Sequence, residues 1–239
     1  SQVTSLALPD GFESMGDMAF WYMPKLERVD LGGTTAVSDS AFRYDKALAE
    51  VNFRPNLGRL VTVGDYAFED APITAVTVPD SVTSIGKFAF SGNSSLTRVH
   101  LGSGLTSIGE GAFLGASSLA SLSVAPANSM YTVEDGVLYS KADAGRTLVL
   151  YLPTKTDTDV TVPDGTVAIA DAAFANNTSL RRVVLPEGLT TIGYGAFDGD
   201  ANLTDLVIPD SVTVARGLVN NGLDTIELGS KVTELWMTP

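Results

Sequence analysis

A six-residue pattern that ends in Ala-Phe recurs along the chain. Its copies are MGDMAF, VSDSAF, VGDYAF, IGKFAF, IGEGAF, IADAAF and IGYGAF, which end at Phe20, Phe42, Phe68, Phe90, Phe113, Phe174 and Phe197. Successive phenylalanines are 22, 26, 22, 23, 61 and 23 residues apart. This period is typical of solenoids, in which each supersecondary unit covers the apolar face of its neighbour. The sequence predicts a single repeat solenoid domain over residues 1–239, mainly β, with short helical or irregular turns.

A strand-like segment follows each copy after a short loop, as in LERVDLG, LTRVHLG and LRRVVLP. In LTRVHL, the apolar residues Val99 and Leu101 alternate with the polar residues Arg98 and His100. Because side chains alternate across a strand, the apolar pair is predicted to face inward and the polar pair outward. A second extended piece, such as LTSIG, leads into the next corner. The recurring phenylalanine is predicted to form a column of core side chains.

The 61-residue gap predicts an inserted β-meander over about residues 126–155 that projects from the solenoid. It contains YTVEDGVLYS and RTLVLYLP, with Asp135-Gly136 as a tight hairpin turn and KADAGR as a looser one. A longer turn that includes Pro55 and Gly58 is expected before Phe68. Residues 209–239 are predicted to be a degenerate C-terminal repeat, where Trp236 either packs over the last strand or contacts further protein.

Composition limits the classes of partner. The chain has 28 acidic residues against 15 basic ones and a formal net charge of −13. This charge repels polyphosphates, so no nucleic-acid partner is expected. There are no cysteines to form disulfides or thiolate metal sites. No apolar run approaches the roughly 20 residues that span a bilayer, so no membrane insertion by this segment is expected.

The strand signature LxxVxLP, the linker LTSIG, the Ala-Phe corner and the meander EDGVLYS…LVLYLP together resemble the BspA-like leucine-rich repeat family. The resemblance implies a right-handed, leucine-rich-repeat-like solenoid on the surface or in the secretions of host-associated bacteria. Several members of that family act in adhesion. An extracellular or cell-surface location is therefore expected.

The chain departs from this family at one position. The family often has cysteine three residues after the Ala-Phe phenylalanine, whereas this chain has Met23, Asp45, Asn93, Ala116, Asn177 and Asp200. A buried asparagine there is expected to bond neighbouring backbone groups, which would preserve the fold.

No catalytic, cofactor or metal site is predicted. His100 is the only histidine, so multi-histidine metal sites are excluded and any Ser-His-Asp relay would depend on this ring. Thr77 and Ser123, its expected neighbours in adjacent repeats, cannot orient it as a carboxylate would. The segment that starts at Asp198 begins like a calcium loop, but it has Leu203 where glycine is needed and Pro209 where glutamate is needed.

The outward strand positions of successive repeats are predicted to form one polar surface, which we call the strand strip. Its members are Ser5, Ala7, Arg28, Asp30, Glu50, Asn52, Ala75, Thr77, Arg98, His100, Ser121, Ser123, Asp159, Thr161, Arg182, Val184, Asp205, Val207, Thr225 and Glu227. Such a strip is the usual recognition face of a solenoid, and ordinary solvated surface is the alternative. The candidate partner-binding residues on it are Arg28, Glu50, Arg98, His100, Arg182 and Asp205.

Two groups of aromatic residues are further candidates, because Trp and Tyr dominate interface energetics. Trp21 and Tyr22 occupy a loop where other repeats mostly carry small or polar residues. Tyr139 and Tyr151, with Tyr131, lie in the predicted meander. The alternatives are end-capping for the first pair and local packing for the meander tyrosines.

Two functions remain open from the sequence. The first is a non-enzymatic recognition or adhesion module that binds a host extracellular protein or a glycan. The alternative is a structural spacer within a larger surface protein. The sequence does not predict an oligomeric state.

Overall fold

The computed structural model describes residues 1–54, 57–141, 144–216, 218, 222–223 and 226–236. Four expectations from the sequence involve residues outside this set. They concern Pro55, the centre of the KADAGR turn, Thr225 and the side chain of Trp236.

The chain folds into two compact units, Ser1–Tyr131 and Thr132–Pro239. Each unit is a stack of β-solenoid turns, and the described residues contain no α-helix. The predicted repeat solenoid is therefore confirmed, with irregular turns. A single domain over residues 1–239 stays a prediction.

The first unit has ten short strands. They are β1 (Ser5–Ala7), β2 (Arg28–Asp30), β3 (Ala36–Val37), β4 (Glu50–Asn52), β5 (Thr62–Val63), β6 (Ala75–Thr77), β7 (Ser84–Ile85), β8 (Arg98–Leu101), β9 (Ser107–Ile108) and β10 (Ser121–Val124). Parallel sheets β1-β2-β4 and β6-β8-β10 carry the strand strip, and the parallel sheet β3-β5-β7-β9 is formed by the linkers. The predicted alternation is confirmed, because Val99 is fully buried whereas Arg98 is exposed.

The recurring phenylalanines form a stacked column inside each unit. In the first unit, the ring centroids from Phe20 through Phe42, Phe68 and Phe90 to Phe113 are 5.2–5.6 Å apart, with nearly parallel planes. In the second unit, Phe174 and Phe197 stack at 5.0 Å. Large buried rings at van der Waals contact tie each turn to the next, so the predicted core column is confirmed.

Each Ala-Phe corner is made by two left-handed backbone residues, which lie two positions before and two after the phenylalanine. The earlier position has positive φ at Met18, Ser40, Tyr66, Phe88, Gly111, Ala172 and Gly195, and the later one at Tyr22, Tyr44, Asp70, Gly92, Gly115, Asn176 and Gly199. Residues that carry a Cβ atom rarely adopt this backbone conformation, because it brings the side chain into steric conflict with the backbone. Glycine at Gly111 and Gly195 avoids that cost.

The second unit contains the meander and further solenoid strands. They are β11 (Tyr131–Glu134, whose first residue belongs to the first unit), β12 (Val137–Ser140), β13 (Arg146–Tyr151), β14 (Asp159–Thr161), β15 (Thr166–Ile169), β16 (Arg182–Val184), β17 (Thr191–Ile192), β18 (Asp205–Val207), β19 (Val214–Arg216) and β20 (Glu234–Trp236). Sheet β14-β16-β18 carries the strand strip. The other sheet has the order β11-β12-β13-β15-β17-β19-β20.

The expectation of a projecting meander is wrong. Strand β13 pairs antiparallel with β12 and parallel with β15, so it continues the sheet that the linker strands β15, β17 and β19 form in the second unit, which is the linker sheet of this unit. Tyr151, at its end, stacks on Phe174 with ring centroids 5.0 Å apart. A tyrosine of the insertion thus occupies the place of a phenylalanine in the core column.

The position three residues after the phenylalanine is buried in every repeat except the first, where Met23 is half-buried, and the expected asparagine bonds are present. Asn93 accepts a hydrogen bond from the Ile73 N–H and donates to the Phe68 carbonyl, at 3.3 and 2.8 Å. The Asn177 side chain accepts from the backbone N–H groups of Ser179 and Leu180. These bonds satisfy backbone groups that the irregular loops would otherwise leave unpaired.

Candidate partner-binding surface

The strand strip of the first unit is exposed and carries paired charges. Register places Arg28 beside Glu50, with their charged atoms 3.9 Å apart. Arg54 donates a hydrogen bond of 2.6 Å to Asp30. Burial alone would raise the pKa of Asp30, but this bond and the Gly32 N–H hold it below its usual value. The surface is therefore polar and locally neutralised, as expected.

Arg98 and His100 lie on β8 at the predicted outward positions. Arg98 is exposed and makes no ion pair within the described part of the chain. His100 has Thr77 and Ser123 as register partners, and its Nδ1 lies 2.9 Å from the Ser123 hydroxyl. A Ser-His-Asp relay also needs a carboxylate that orients the imidazole. Among the described residues, no carboxylate hydrogen-bonds to His100.

The strand strip of the second unit is more apolar than the sequence analysis stated. Arg182 and Asp205 are register partners with an ion-pair distance of 3.2 Å. Beside them, the register partners Val184 and Val207 are 40% and 56% exposed. These residues line a shallow pocket of about 200 Å³. An apolar centre bordered by a charged pair is the usual anatomy of a protein–protein interface.

Trp21 and Tyr22 are both exposed, at 49% and 58%. Their rings are tilted by 40° with centroids 5.7 Å apart, and they belong to the loop that follows Phe20. The nearby Met18 is also exposed. Both rings are therefore accessible to a partner, and their role in binding stays a prediction.

Tyr139 and Tyr151 are not on an open surface, which corrects the expectation that the meander presents them. They are only 4% and 2% exposed, because β12 and β13 are part of the linker sheet. Tyr131 is likewise buried. Local packing, the alternative left open by the sequence, describes all three residues.

Tyr151 is held by a charged network at the edge of the meander. Its hydroxyl donates a 2.7 Å hydrogen bond to Asp157, which also pairs with Lys155 at 3.1 Å. Burial, followed by the bond to Asp157, raises the pKa of Tyr151 well above its usual value. The same bond from Tyr151, together with Lys155, lowers the pKa of Asp157. Asp157 is therefore a firmly ionised acceptor.

A second aromatic cluster, which the sequence analysis did not single out, lies on the corners of the first unit. The Arg43 guanidinium lies over the rings of Tyr44 and Tyr66, at 4.6 and 4.8 Å, and pairs with Glu69. Tyr66 also stacks on Phe88 at 5.4 Å. The sequence signal was present, because Tyr66 and Phe88 both stand two residues before the Ala-Phe phenylalanine.

Two other kinds of feature are absent from the described residues. No group of three or more His, Cys, Asp or Glu side chains in that set has a geometry that would hold a metal ion. Within the same ranges, we find no helix with the length and apolar character of a membrane span.

Comparison with solved structures gives three informative relatives. A leucine-rich repeat protein from Eubacterium ventriosum is 27% identical with a TM-score of 0.86, over 96% of this chain and 61% of its own. The pneumococcal vaccine antigen PcpA is 20% identical with a TM-score of 0.70, over 98% of this chain and 76% of its own. A leucine-rich cell surface protein from Faecalibacterium prausnitzii is 22% identical with a TM-score of 0.64, over 99% of this chain and 79% of its own.

These likenesses concern the fold. The chain spans about three fifths of the length of the Eubacterium ventriosum protein. Comparison with curated protein sequences gives no match. The sequence pattern of the BspA-type leucine-rich repeat region matches in six copies, over residues 1–61, 61–143 and 154–235. The phenylalanine columns and the in-register strand strip are the physical form of those repeats. This chain therefore belongs to the BspA-type leucine-rich repeat family.

Proposed function

We propose that this chain is a non-enzymatic recognition module of a bacterial cell-surface or secreted protein, and that its strand strip binds a host extracellular protein. Family membership supports a repeat module, and a relative described as a cell surface protein supports the location. A surface glycan is the other class of partner that this face would accept.

The observation that carries the proposal is the exposed valine pair on the strand strip. Val184 and Val207 stand side by side next to the Arg182–Asp205 ion pair. Burial of exposed apolar side chains against a partner stabilises the complex by about 25 cal/mol for each Å² of apolar surface removed from water. A charged rim aligns the partner and excludes wrong ones. This combination favours a protein partner over a purely polar one.

A structural spacer is the second candidate function. Its support is the ion pairing along the strip, since Arg28–Glu50 and Arg182–Asp205 would also serve a solvated surface without a partner. A spacer, however, does not need two neighbouring exposed valines. The two functions are thus separated by whether the strip binds anything.

Surface plasmon resonance at physiological salt would test the proposal. The chain is immobilised and exposed to extracellular-matrix proteins, plasma proteins and host glycans. Recognition is supported by a saturable protein ligand whose affinity falls in the variant Arg98→Glu. Arg59→Glu, at an exposed position off the strip, is the control and should leave that affinity unchanged. A folded chain that binds no member of the panel favours the spacer, and so does a ligand whose affinity is unchanged both in Arg98→Glu and in Val207→Glu.

A further inference from the structure

A pocket of about 320 Å³ lies within the second unit, between the meander and β14. Asp159 and Thr161, which belong to the strand strip, line one side of it. Tyr139 and Tyr151 line another side. We call this cavity the meander pocket. Since strip residues border it, a partner seated on the strip can place a side chain inside.

The polar lining of the meander pocket is predominantly acidic. Four carboxylates, from Glu134, Asp135, Asp157 and Asp159, face one ammonium group, that of Lys155. Lys155 is shared between Asp135 and Asp157, at 3.2 and 3.1 Å. Because the carboxylates outnumber the cations, the concave lining carries a net negative potential that attracts a cationic ligand.

Asp159 is the carboxylate of the pocket lining that has no cationic partner among the described residues. Glu134 pairs with Arg146 at 2.7 Å, and Lys155 serves the other two carboxylates. The Asp159 side chain accepts a 2.8 Å hydrogen bond from the neighbouring Thr158 hydroxyl and forms no ion pair within the described ranges. It also lies on the exposed strip, where a partner reaches it first.

Tyr139 supplies a second observation that points to a ligand. Tyr139 is only 4% exposed and lines the pocket. Its hydroxyl makes no hydrogen bond to any residue that the structure describes. Tyr151, by contrast, uses its hydroxyl on Asp157. The Tyr139 hydroxyl is not among the fully enclosed polar atoms that lack a partner, so it is open to the pocket and a ligand can reach it. The Arg146 guanidinium already lies 4.4 Å from the Tyr139 ring centroid, which shows that this ring accommodates a cation.

The remaining lining is apolar and suits an aliphatic stem. Val137, Leu148 and Val162 are buried in the pocket wall, and Pro163 also belongs to the lining. Lys and Arg side chains bury their methylene stems along such surfaces while the charged head keeps its hydrogen bonds. The volume is at the small end for ligand pockets, which fits one side chain better than a larger organic molecule.

We propose that the meander pocket binds a lysine or arginine side chain of the protein partner, with the cationic head between Asp159 and the Tyr139 hydroxyl. The proposal rests on recognition through the strand strip, because the partner must deliver that side chain. It adds a chemical requirement, which is a basic residue at the edge of the partner's contact surface.

The test is a titration of the isotope-labelled whole chain, followed by amide resonances in two-dimensional NMR spectra. The probes are the peptide acetyl-Gly-Arg-Gly-amide and its neutral counterpart with norleucine in place of arginine. Saturable shifts of the amides of residues 159–162 with the arginine peptide alone are expected. Equal shifts with both peptides, or shifts only elsewhere, would overturn the proposal.

Three variants locate the site. Asp159→Asn is expected to weaken the arginine peptide about tenfold, the usual cost of losing a charge-assisted hydrogen bond. Asp164→Asn, an exposed carboxylate outside the pocket lining, is the matched control and is expected to leave affinity unchanged. Tyr139→Phe removes only the hydroxyl and is expected to weaken binding with the melting temperature nearly unchanged.

Failure of the pocket proposal can be distinguished from failure of the proposed function. If the panel yields no partner but the arginine peptide binds at residues 159–162, the pocket is real and the recognition role fails. If a partner binds the strip and Asp159→Asn binds it as well as the parent chain, the pocket proposal fails and recognition stands.

Discussion

The Asp200 carboxylate accepts a 2.8 Å hydrogen bond from the backbone N–H of Asn177, while its other oxygen has no partner among the described residues. Asp200 is fully buried, and burial raises its pKa to about 8. Asp45, at the same repeat position, accepts from the Met23 N–H and has its pKa raised by burial to about 7. Both therefore hold protons that an exposed aspartate releases near pH 4.

This arrangement predicts that the protein is more stable in mild acid than in mild base. The folded-state pKa of each carboxyl lies above its unfolded value, so its stabilising effect is complete below about pH 4. That effect is lost as the pH rises through about 7 and 8. Between pH 5 and 8.5, the free energy of unfolding is expected to fall, by at most about 1.4 kcal/mol per pH unit for each carboxyl.

Urea denaturation at several pH values measures this slope. Groups with lowered pKa values, such as Asp30 and Asp157, act below this range and do not mask it. The double variant Asp45→Asn/Asp200→Asn is expected to flatten the slope, because asparagine already fills this position at Asn93 and Asn177. An unchanged slope in the double variant would show that other groups cause it.

Replacing Phe90 by alanine is expected to cost about 3 to 5 kcal/mol of stability. Phe90 is fully buried and stacks on Phe68 at 5.4 Å and on Phe113 at 5.6 Å, so its loss opens a cavity between turns. Phe88→Ala is the matched control. The Phe88 ring is half-buried, so its removal is expected to lower the free energy of unfolding by only about 1 kcal/mol. Equal losses in thermal or urea unfolding would contradict a core column.

Gly86→Ala is expected to destabilise the first unit by about 1 to 3 kcal/mol. A Cβ atom at Gly86 would lie 2.5 Å from the backbone nitrogen of Asp65 and from the carbonyl carbon of Gly64 in the preceding turn. At Gly188, an added Cβ would meet nothing within 4 Å, so Gly188→Ala serves as the control and is expected to be neutral or slightly stabilising. Comparable melting temperatures for the two variants would mean that the turns are not in close contact at Gly86.

The repeat pattern was sufficient to predict the solenoid, the phenylalanine column and the strand register. Those features follow from the spacing of large apolar residues, which the sequence shows directly. The close approach at Gly86 and the left-handed residues at Met18 and Phe88 were not predicted, because they depend on how one turn lies on the next. The glycines that recur at the corner positions, such as Gly111 and Gly195, were a hint of that backbone conformation.

The candidate site was predicted less completely. Alternation identified the outward positions, including Val184 and Val207, but could not show how exposed they are. Tyr139 and Tyr151 were misplaced because an alternating segment has the same pattern whether its second face is open or covered. Here β13 pairs with β15 and Tyr151 stacks on Phe174 in the core, so the two tyrosines line a pocket instead of a projecting surface.

We propose that the strand strip is a recognition surface with the valine pair, Val184 and Val207, at its centre. The most direct measurement is the affinity, by surface plasmon resonance, of the double variant Val184→Glu/Val207→Glu for a ligand found with the parent chain. Val61→Glu, a valine of similar exposure off the strip, is the control. We expect binding to be lost in the double variant and kept in the control, with both folded. Unchanged affinity in the double variant would contradict the claim.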